Sequence, residues 1–426
     1  MFAGFDYGTS HCSIGVWTGE TVRLLPLEGA ETQIPSTLFA ARGTDEQDGV
    51  RAQIDLGDPT RLRFGHAAFA AYLAEPDDGY FVKSPKSFLG APGLNVEVTE
   101  RFISVVAAMM RNVKDNAEAH LEQPIEQVVI GRPINFQGSD GDAENHQAIT
   151  MLVAAARECG FDQVTFLYEP MAAALEYESR LDREMCILVV DVGGGTTDCS
   201  FVRVGPERQL CKERDADILG HAGERLGGND YDQMLALKTV MPSLGFHDLL
   251  RSELPIPNTF FVDAVSTNDV NAQQRFYSAH AGEELRRFVR EAQHPERIAR
   301  LKTVHESRLG YRLLQASEET KIALTDHRSA STDLGFVQQG LTTAATRDEF
   351  REASERLLDH LAGLVEETAQ AAGRTPDIVY LTGGMSRSEI VREHLRKLLP
   401  GIEMIDSDHL ASVTQGLTVW ARRVFG

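Results

Sequence analysis

The chain has 426 residues, room for about two to four domains at roughly 100–200 residues each. Apolar residues make up 42% and charged residues 25%, a globular composition that can bury its cores without disulfide or metal staples. Lysine and arginine number 42 against 63 aspartates and glutamates, a net charge of −21, which argues against electrostatic binding to nucleic acid or to an anionic membrane. A nucleotide is not excluded, because glycine loops and a few lysines bind phosphate even inside a negative protein.

The five cysteines, Cys12, Cys159, Cys186, Cys199 and Cys211, are scattered and form no CxxC pair. They read as reduced thiols rather than as disulfides or a zinc site. The opening MFAGFDYGTSHC carries Asp6 and no basic segment ahead of a long apolar one, so no signal peptide is expected. The longest apolar stretches are too short to span a bilayer. A cytoplasmic protein is expected.

Along the chain, short β-branched runs predict strands at 2–6, 12–17, 128–130, 164–167, 186–192, 199–204 and 378–382. Helical segments are expected at 101–121, 146–159, 170–180, 229–241, 296–324 and 348–372. In the first of these, Phe102, Val105, Val106 and Met109 recur at three- and four-residue spacing. Alternation of this kind indicates an α/β protein. Residues 43–60 and 137–145 are rich in Gly, Asp and Pro and read as surface loops. Residues 251–280, with Pro255 and Pro257, read as irregular.

One pattern repeats at long range. Strand, aspartate, glycine and hydroxyl residues occur as FDYGTS at 5–10 and again as VDVGGGTTD at 190–198, each followed by another strand. Two halves built on one plan are expected. Glycine turns let backbone N–H groups converge on an anion, and Thr9, Ser10, Thr196 and Thr197 can add donors. An aspartate beside such a loop would repel a bare phosphate. A hydrated Mg²⁺ between them resolves the conflict, since magnesium takes carboxylates, waters and phosphate oxygens. Asp6 and Asp191 would then hold the metal through its waters. A tight hairpin would explain either loop alone, but explains the pair poorly.

The commoner nucleotide signatures are missing. The sequence contains no Gly-Lys pair, which excludes a Walker-type loop, and no GxGxxG follows a strand. Further glycine clusters stand at Gly227-Gly228, at Gly383-Gly384 and at Gly416. The second follows the strand 378–381 and precedes a helix for which Ser386 is a candidate cap. Such a turn either approaches a ligand or packs a helix on a sheet, and local sequence weighs the two evenly.

These segments together resemble a known family. FDYGTS, VIGRP, YEPMAAAL, VVDVGGGTTDCS, GERLGGNDYD, SEETKIAL and YLTGGMSRS occur in the order found in the nucleotide-binding domain of the seventy-kilodalton heat-shock chaperones (DnaK-type), and the chain looks most like the truncated YegD-like branch. The resemblance spans residue 2 to about 420. It implies an α/β, actin-like ATPase fold of two lobes, each with an RNase-H-like core and an inserted subdomain, clasping Mg-ATP or Mg-ADP. On that plan lobe I is 1–184 (core 1–39 and 124–184, insert 40–123). Lobe II is 185–426 (core 185–228 and 341–426, insert 229–340), with no peptide-binding domain.

Position by position, Gly8, Thr9 and Ser10 match the family's first phosphate loop, and Gly193, Gly194, Gly195 and Thr196 match the second. Asp191 and Asp198 match paired carboxylates near the metal and the attacking water. Glu169 matches the acidic residue that couples the γ-phosphate to lobe closure. Lys86 matches the lysine that orients the water, a role that suits a cation able to follow developing charge; Lys83 lies close enough for a shifted alignment. Gly227 and Gly228 fall in the second lobe's glycine motif. Glu318, Lys321 and Thr325 share one helical face, which the family uses with Gly383, Gly384 and Arg387 to hold adenosine. Without the resemblance, that face would read as an ordinary ion pair.

The sequence departs from the family pattern at Asn229, where a glutamate is usual, at Ile322, where some members carry an arginine, and in a longer 137–145 loop. The resemblance implies slow ATP hydrolysis by lobe opening and closure, and a protein partner that senses the nucleotide state. No nucleic-acid or membrane partner is expected. A non-hydrolysing nucleotide-gated module, an actin-like filament protein and a small-molecule kinase of the same fold remain open alternatives.

Overall fold

A computed structural model describes residues 1–42, 56–76, 78–91, 93–136, 142–406 and 411–426. Most of the loop expected at 43–60 and the first part of that expected at 137–145 lie outside the described residues. By contact density the chain divides into two compact units. One comprises residues 1–227, 361–386 and 395–426, and the other 228–360 and 387–394.

The first unit contains two five-strand paths of the same design. Strands β1 (Phe2–Tyr7) and β2 (His11–Trp17) form an antiparallel hairpin, and β3 (Val22–Leu24) and β4 (Gln33–Pro35) both pair with β2. Next come β5 (Thr37–Ala41), β6 (Leu62–Phe64) and β7 (Gly79–Lys83), a separate three-stranded sheet. Strands β8 (Gln127–Arg132) and β9 (Gln163–Tyr168) then extend the first sheet in parallel, giving the order β3-β2-β1-β8-β9. The plan starts again with the antiparallel meander β10 (Met185–Val192), β11 (Thr197–Val204) and β12 (Ile218–Glu224). In the second unit β13 (Ser329–Asp333) and β14 (Thr342–Thr346) form a hairpin. Finally β15 (Ile378–Thr382) and β16 (Glu403–Asp406) return in parallel, for the order β12-β11-β10-β15-β16.

The central strands explain their own position. In β10, MCILVVDV, every residue before Asp191 is buried, the continuous apolar pattern of a strand covered on both faces. Helix Glu169–Glu178 follows β9 and helix Ser412–Phe425 follows β16, and the two pack on each other. Their crossing needs a residue without a side chain, since a Cβ on Gly416 would overlap the Ala172 carbonyl. The second unit is mainly helical around a core that includes Phe261, Phe276, Phe288, Leu301 and Leu313.

Several expected elements need correction. Residues 251–280 are not irregular throughout: helices Thr259–Val265 and Val270–Phe276 lie within them, and Ala279–Glu291 begins there. Pro255 and Pro257 precede these helices rather than interrupt them. The helix expected at 296–324 is two, Pro295–Glu306 and Gly310–Asp326, separated where Arg308 turns left-handed at φ 49°. The 348–372 helix likewise breaks at Ser354. Helix Gly228–Leu235 continues as a π-turn, Ala236–Val240. Helix Asp142–Glu158 starts inside the stretch read as loop. Ser386 does not begin the next helix. It sits in a 3₁₀ turn, Gly384–Arg387, and donates its hydroxyl to the Gly383 carbonyl, while the helix starts at Glu389. Among the described residues, no helix is long and apolar enough to cross a membrane.

Candidate functional site: two hairpins on one cleft

The echoed loops have the same geometry. In the β1–β2 hairpin Asp6 pairs with Ser13, and the Gly8 N–H donates to the His11 carbonyl at 3.0 Å. In the β10–β11 hairpin Asp191 pairs with Asp198, and the Gly193 N–H donates to the Thr196 carbonyl at 2.9 Å. Register and turn therefore coincide residue for residue. The hairpins also approach each other, since a Cβ on Gly195 would stand 3.1 Å from the Thr9 methyl.

Both open on one cleft. Asp6, Gly8, Thr9, Ser10, Glu169, Asp191, Gly193, Gly194, Thr196, Gly383 and Gly384 line it. So do His11, Ser13, Gln33, Thr382, Ser412 and Val413, none of which the sequence reading selected. A signal for two of them was available: on a strand, alternate residues share a face, so His11 and Ser13 follow from the placement of the hairpin.

The site is strongly acidic at its base. Burial, then the charge of Glu169, raises the Asp6 carboxyl to about 7. Burial and the facing Asp198 raise Asp191 to about 8. Asp198 rises to about 7 through burial and Glu169, although a hydrogen bond from the Thr196 side chain opposes the shift. The compensating cation is Lys86. It is buried in the 3₁₀ turn Pro85–Phe88 behind Ser84, itself left-handed at φ 57°, and its ammonium donates to Glu169 Oε1. Burial alone would lower the lysine, but Glu169 and Asp6 outweigh it and hold the ammonium charged. Lys83 stays in β7, paired with Thr37. Burial pushes the Cys12 thiol up to about 12, too high for a nucleophile near neutral pH.

Gly227 supports the site from behind: a Cβ there would come within 2.6 Å of the Gly195 nitrogen. The neighbouring Leu226 carbonyl accepts the Thr197 hydroxyl at 2.7 Å. At Gly383, φ is 81° and a Cβ would lie 2.5 Å from Asp191 Oδ1, so only glycine fits beside that carboxylate. Gly228, Glu318, Lys321, Thr325 and Arg387 belong to the second unit. There Lys321 is buried, with Nζ 2.8 Å from Asp232 Oδ1 and 3.3 Å from the Gly228 carbonyl. Glu318 and Thr325 are half-buried on the same helix, while Ile322 and Arg387 are exposed.

A hydrated divalent cation fits this donor set. Asp6, Asp191 and Asp198 are carboxylates whose pKa values are raised by burial and by neighbouring carboxylates, Glu169 among them, and a cation reverses that penalty. Among the described residues, no three carboxylate, histidine or cysteine side chains are grouped tightly enough to ligate a metal directly. The donor set suits a magnesium ion that keeps its waters.

Two comparisons with known proteins bear on the site. The Hsp70 protein family model matches residues 89–241, a span that includes Glu169 and the whole β10–β11 hairpin. The chaperone protein dnaK3 of Thermosynechococcus vestitus is 26% identical over 416 residues. That match covers 93% of this chain and 51% of the relative, so the chain spans about half the length of the curated relative it matches.

Proposed function

We propose, from its similarity to the Hsp70 family model and to dnaK3, that the chain is an Hsp70-family protein that binds ATP and ADP with Mg²⁺ in the cleft of the two hairpins, and hydrolyses ATP slowly. One observation carries the reading. Two glycine hairpins in identical register bring Asp6 and Asp191 to one cleft, beside a lysine held charged against Glu169.

The roles follow from the chemistry. Backbone N–H groups and hydroxyls of residues 8–10 and 193–196 hold phosphate oxygens. Asp6 and Asp191 would hold a magnesium ion through its waters, and the ion would supply positive charge to neutralise the phosphates. Lys86 supplies positive charge where it develops during transfer, and Asp198, steadied by Thr196, orients the attacking water. Glu169 accepts a hydrogen bond from the Lys86 ammonium, so phosphate reaching the lysine would compete for that bond and be registered at Glu169. Binding that alters this pair does useful work only if the two states differ in affinity for something else. The proposal therefore includes a protein partner that distinguishes the ATP form from the ADP form.

Calorimetry and single-turnover phosphate release test the reading. Magnesium-dependent ATP binding with slow release of phosphate is expected. Binding without release would leave a nucleotide-gated module, and absence of binding would overturn the proposal.

A further inference from the structure

Ser84 bends the chain where the small three-stranded sheet ends and the lysine turn begins. Strand β7 closes at Lys83, paired with Thr37, and Pro85 opens the 3₁₀ turn that holds Lys86. Between them Ser84 stands at φ 57° and ψ 54°, a left-handed conformation uncommon for any residue but glycine. Its side chain does nothing to favour that conformation. The hydroxyl is buried, caps no backbone N–H and is without a hydrogen-bond partner among the described residues. The neighbours hold the backbone instead. The Ser84 N–H donates to the Ser36 carbonyl at 2.8 Å, and the Ser84 carbonyl accepts the Ser87 N–H at 3.0 Å and the Ser87 hydroxyl at 2.7 Å. Ser36 in turn donates its N–H to the Ser10 carbonyl at 2.8 Å and its hydroxyl to the Gly8 carbonyl at 2.7 Å. One serine therefore ties the lysine turn to the first hairpin.

We propose, on the premise that the cleft hydrolyses a nucleotide, that Ser84 is a positioning residue whose left-handed backbone sets where Lys86 enters the site. A lysine side chain is a flexible stem with a point charge at its end, so the charge is only as well placed as the backbone that carries it. An extended residue at 84 would prolong β7 and undo the turn between Ser84 and Ser87. Pro85 narrows the choice further, since proline fixes its own φ and disfavours the right-handed region for the residue before it. A strained conformation persists only where its surroundings over-determine it, and here the bonds to Ser36 and Ser87 do so. The conformation carries the function, and the hydroxyl has no part in it.

The test compares wild type, Ser84→Gly, Ser84→Ala and Ser84→Thr by single-turnover phosphate release per folded molecule, with calorimetry for ATP affinity and thermal melting to confirm folding. Glycine takes the left-handed region freely, whereas a β-branched residue there is an outlier. Ser84→Gly and Ser84→Ala should release phosphate within about twofold of wild type, since neither adds branching at the strained position. Ser84→Thr, which keeps the hydroxyl, should lose about tenfold in rate through misplacement of the lysine, with ATP affinity held within about twofold. In a Lys86→Ala background the same threonine should cost nothing further, because a residue that acts through the lysine has nothing left to act on. Wild-type release from Ser84→Thr, a threonine loss that persists without the lysine, or a tenfold loss in Ser84→Gly or Ser84→Ala would overturn the assignment while leaving hydrolysis intact. Failure of the wild type itself to release phosphate would overturn both.

Discussion

The β1–β2 and β10–β11 hairpins share a backbone and differ in what they carry. At the paired position opposite the aspartate, the first has Ser13 and the second Asp198. Ser13 is tied off, its hydroxyl 2.5 Å from that of Thr414. Asp198 instead faces Asp191; burial and then Asp198 raise Asp191 to about 8, while burial and then Glu169 raise Asp198 to about 7. On the proposed reading one turn design would hold an anion at two places, while only the second carries a pair of carboxylates. If the proposed function holds, the difference divides labour: the first hairpin would bind, and the second would bind and position the reaction.

The sharpest test sets Asp198→Asn against Ser13→Ala. Single-turnover phosphate release should fall about a hundredfold or more in Asp198→Asn, with ATP affinity changed little. Lys86→Ala should behave similarly, a loss in the transition state and not in ground-state binding. Ser13→Ala should leave turnover near wild type. Equal damage from Ser13→Ala and Asp198→Asn would erase the distinction between the hairpins.

Asp6→Asn and Asp191→Asn probe what the hairpins share. Each should weaken magnesium-dependent ATP binding more than tenfold, roughly 1.4 kcal/mol. Calorimetry giving wild-type affinity for either variant would mean that only one hairpin meets the metal.

Stability against pH comes next in size. The ordinary carboxyl value for these aspartates is 3.8, and in the folded protein they lie near 7 to 8. The unfolded chain releases its protons first, so from about pH 4 upward the native state holds the excess. This cluster therefore lowers stability progressively until the folded groups ionise near pH 8, and adds no further slope above that. A divalent cation favours the ionised form, so Mg²⁺ should raise the melting temperature more at pH 8 than at pH 6. A gain that does not grow with pH would detach the metal from these carboxyls.

The smallest effect is structural. Loss of the Ser13–Thr414 hydrogen bond in Ser13→Ala should cost about 1 kcal/mol of stability, read by denaturant unfolding. No change there would show that the first hairpin is not fastened to helix Ser412–Phe425 by this contact.

What the sequence made legible was local. Strands such as β10 and β15 were readable because their apolar runs stop at a functional turn. The hairpins were readable because Asp6 and Asp191 stand at matching distances from glycine. Partners distant in sequence were not. That Lys86 meets Glu169 depends on a separate small sheet delivering the lysine, and the Lys321–Asp232 pair joins two helices; neither follows from spacing. The helix break at Ser354 escaped because no glycine or proline, the usual punctuation, stands there; at Arg308 the glycine was present two residues on, at Gly310, and opens the next helix.

The far end of helix Glu169–Glu178 has a consequence for synthesis. Glu178 is wholly buried and is held by Arg214 at 2.8 Å and Arg423 at 3.3 Å. When the ribosome has released the first sheet, Glu169 can already find Lys86, but both arginines are still to be translated. The nascent piece therefore holds a carboxylate that it cannot bury without a partner, and burying a lone charge is costly. Its helix must wait with that end in water until the second sheet's strands emerge, and Arg423 follows Arg214 only after the whole second unit. Final locking of the first half is thus a late event during translation, set by charges that the second half brings.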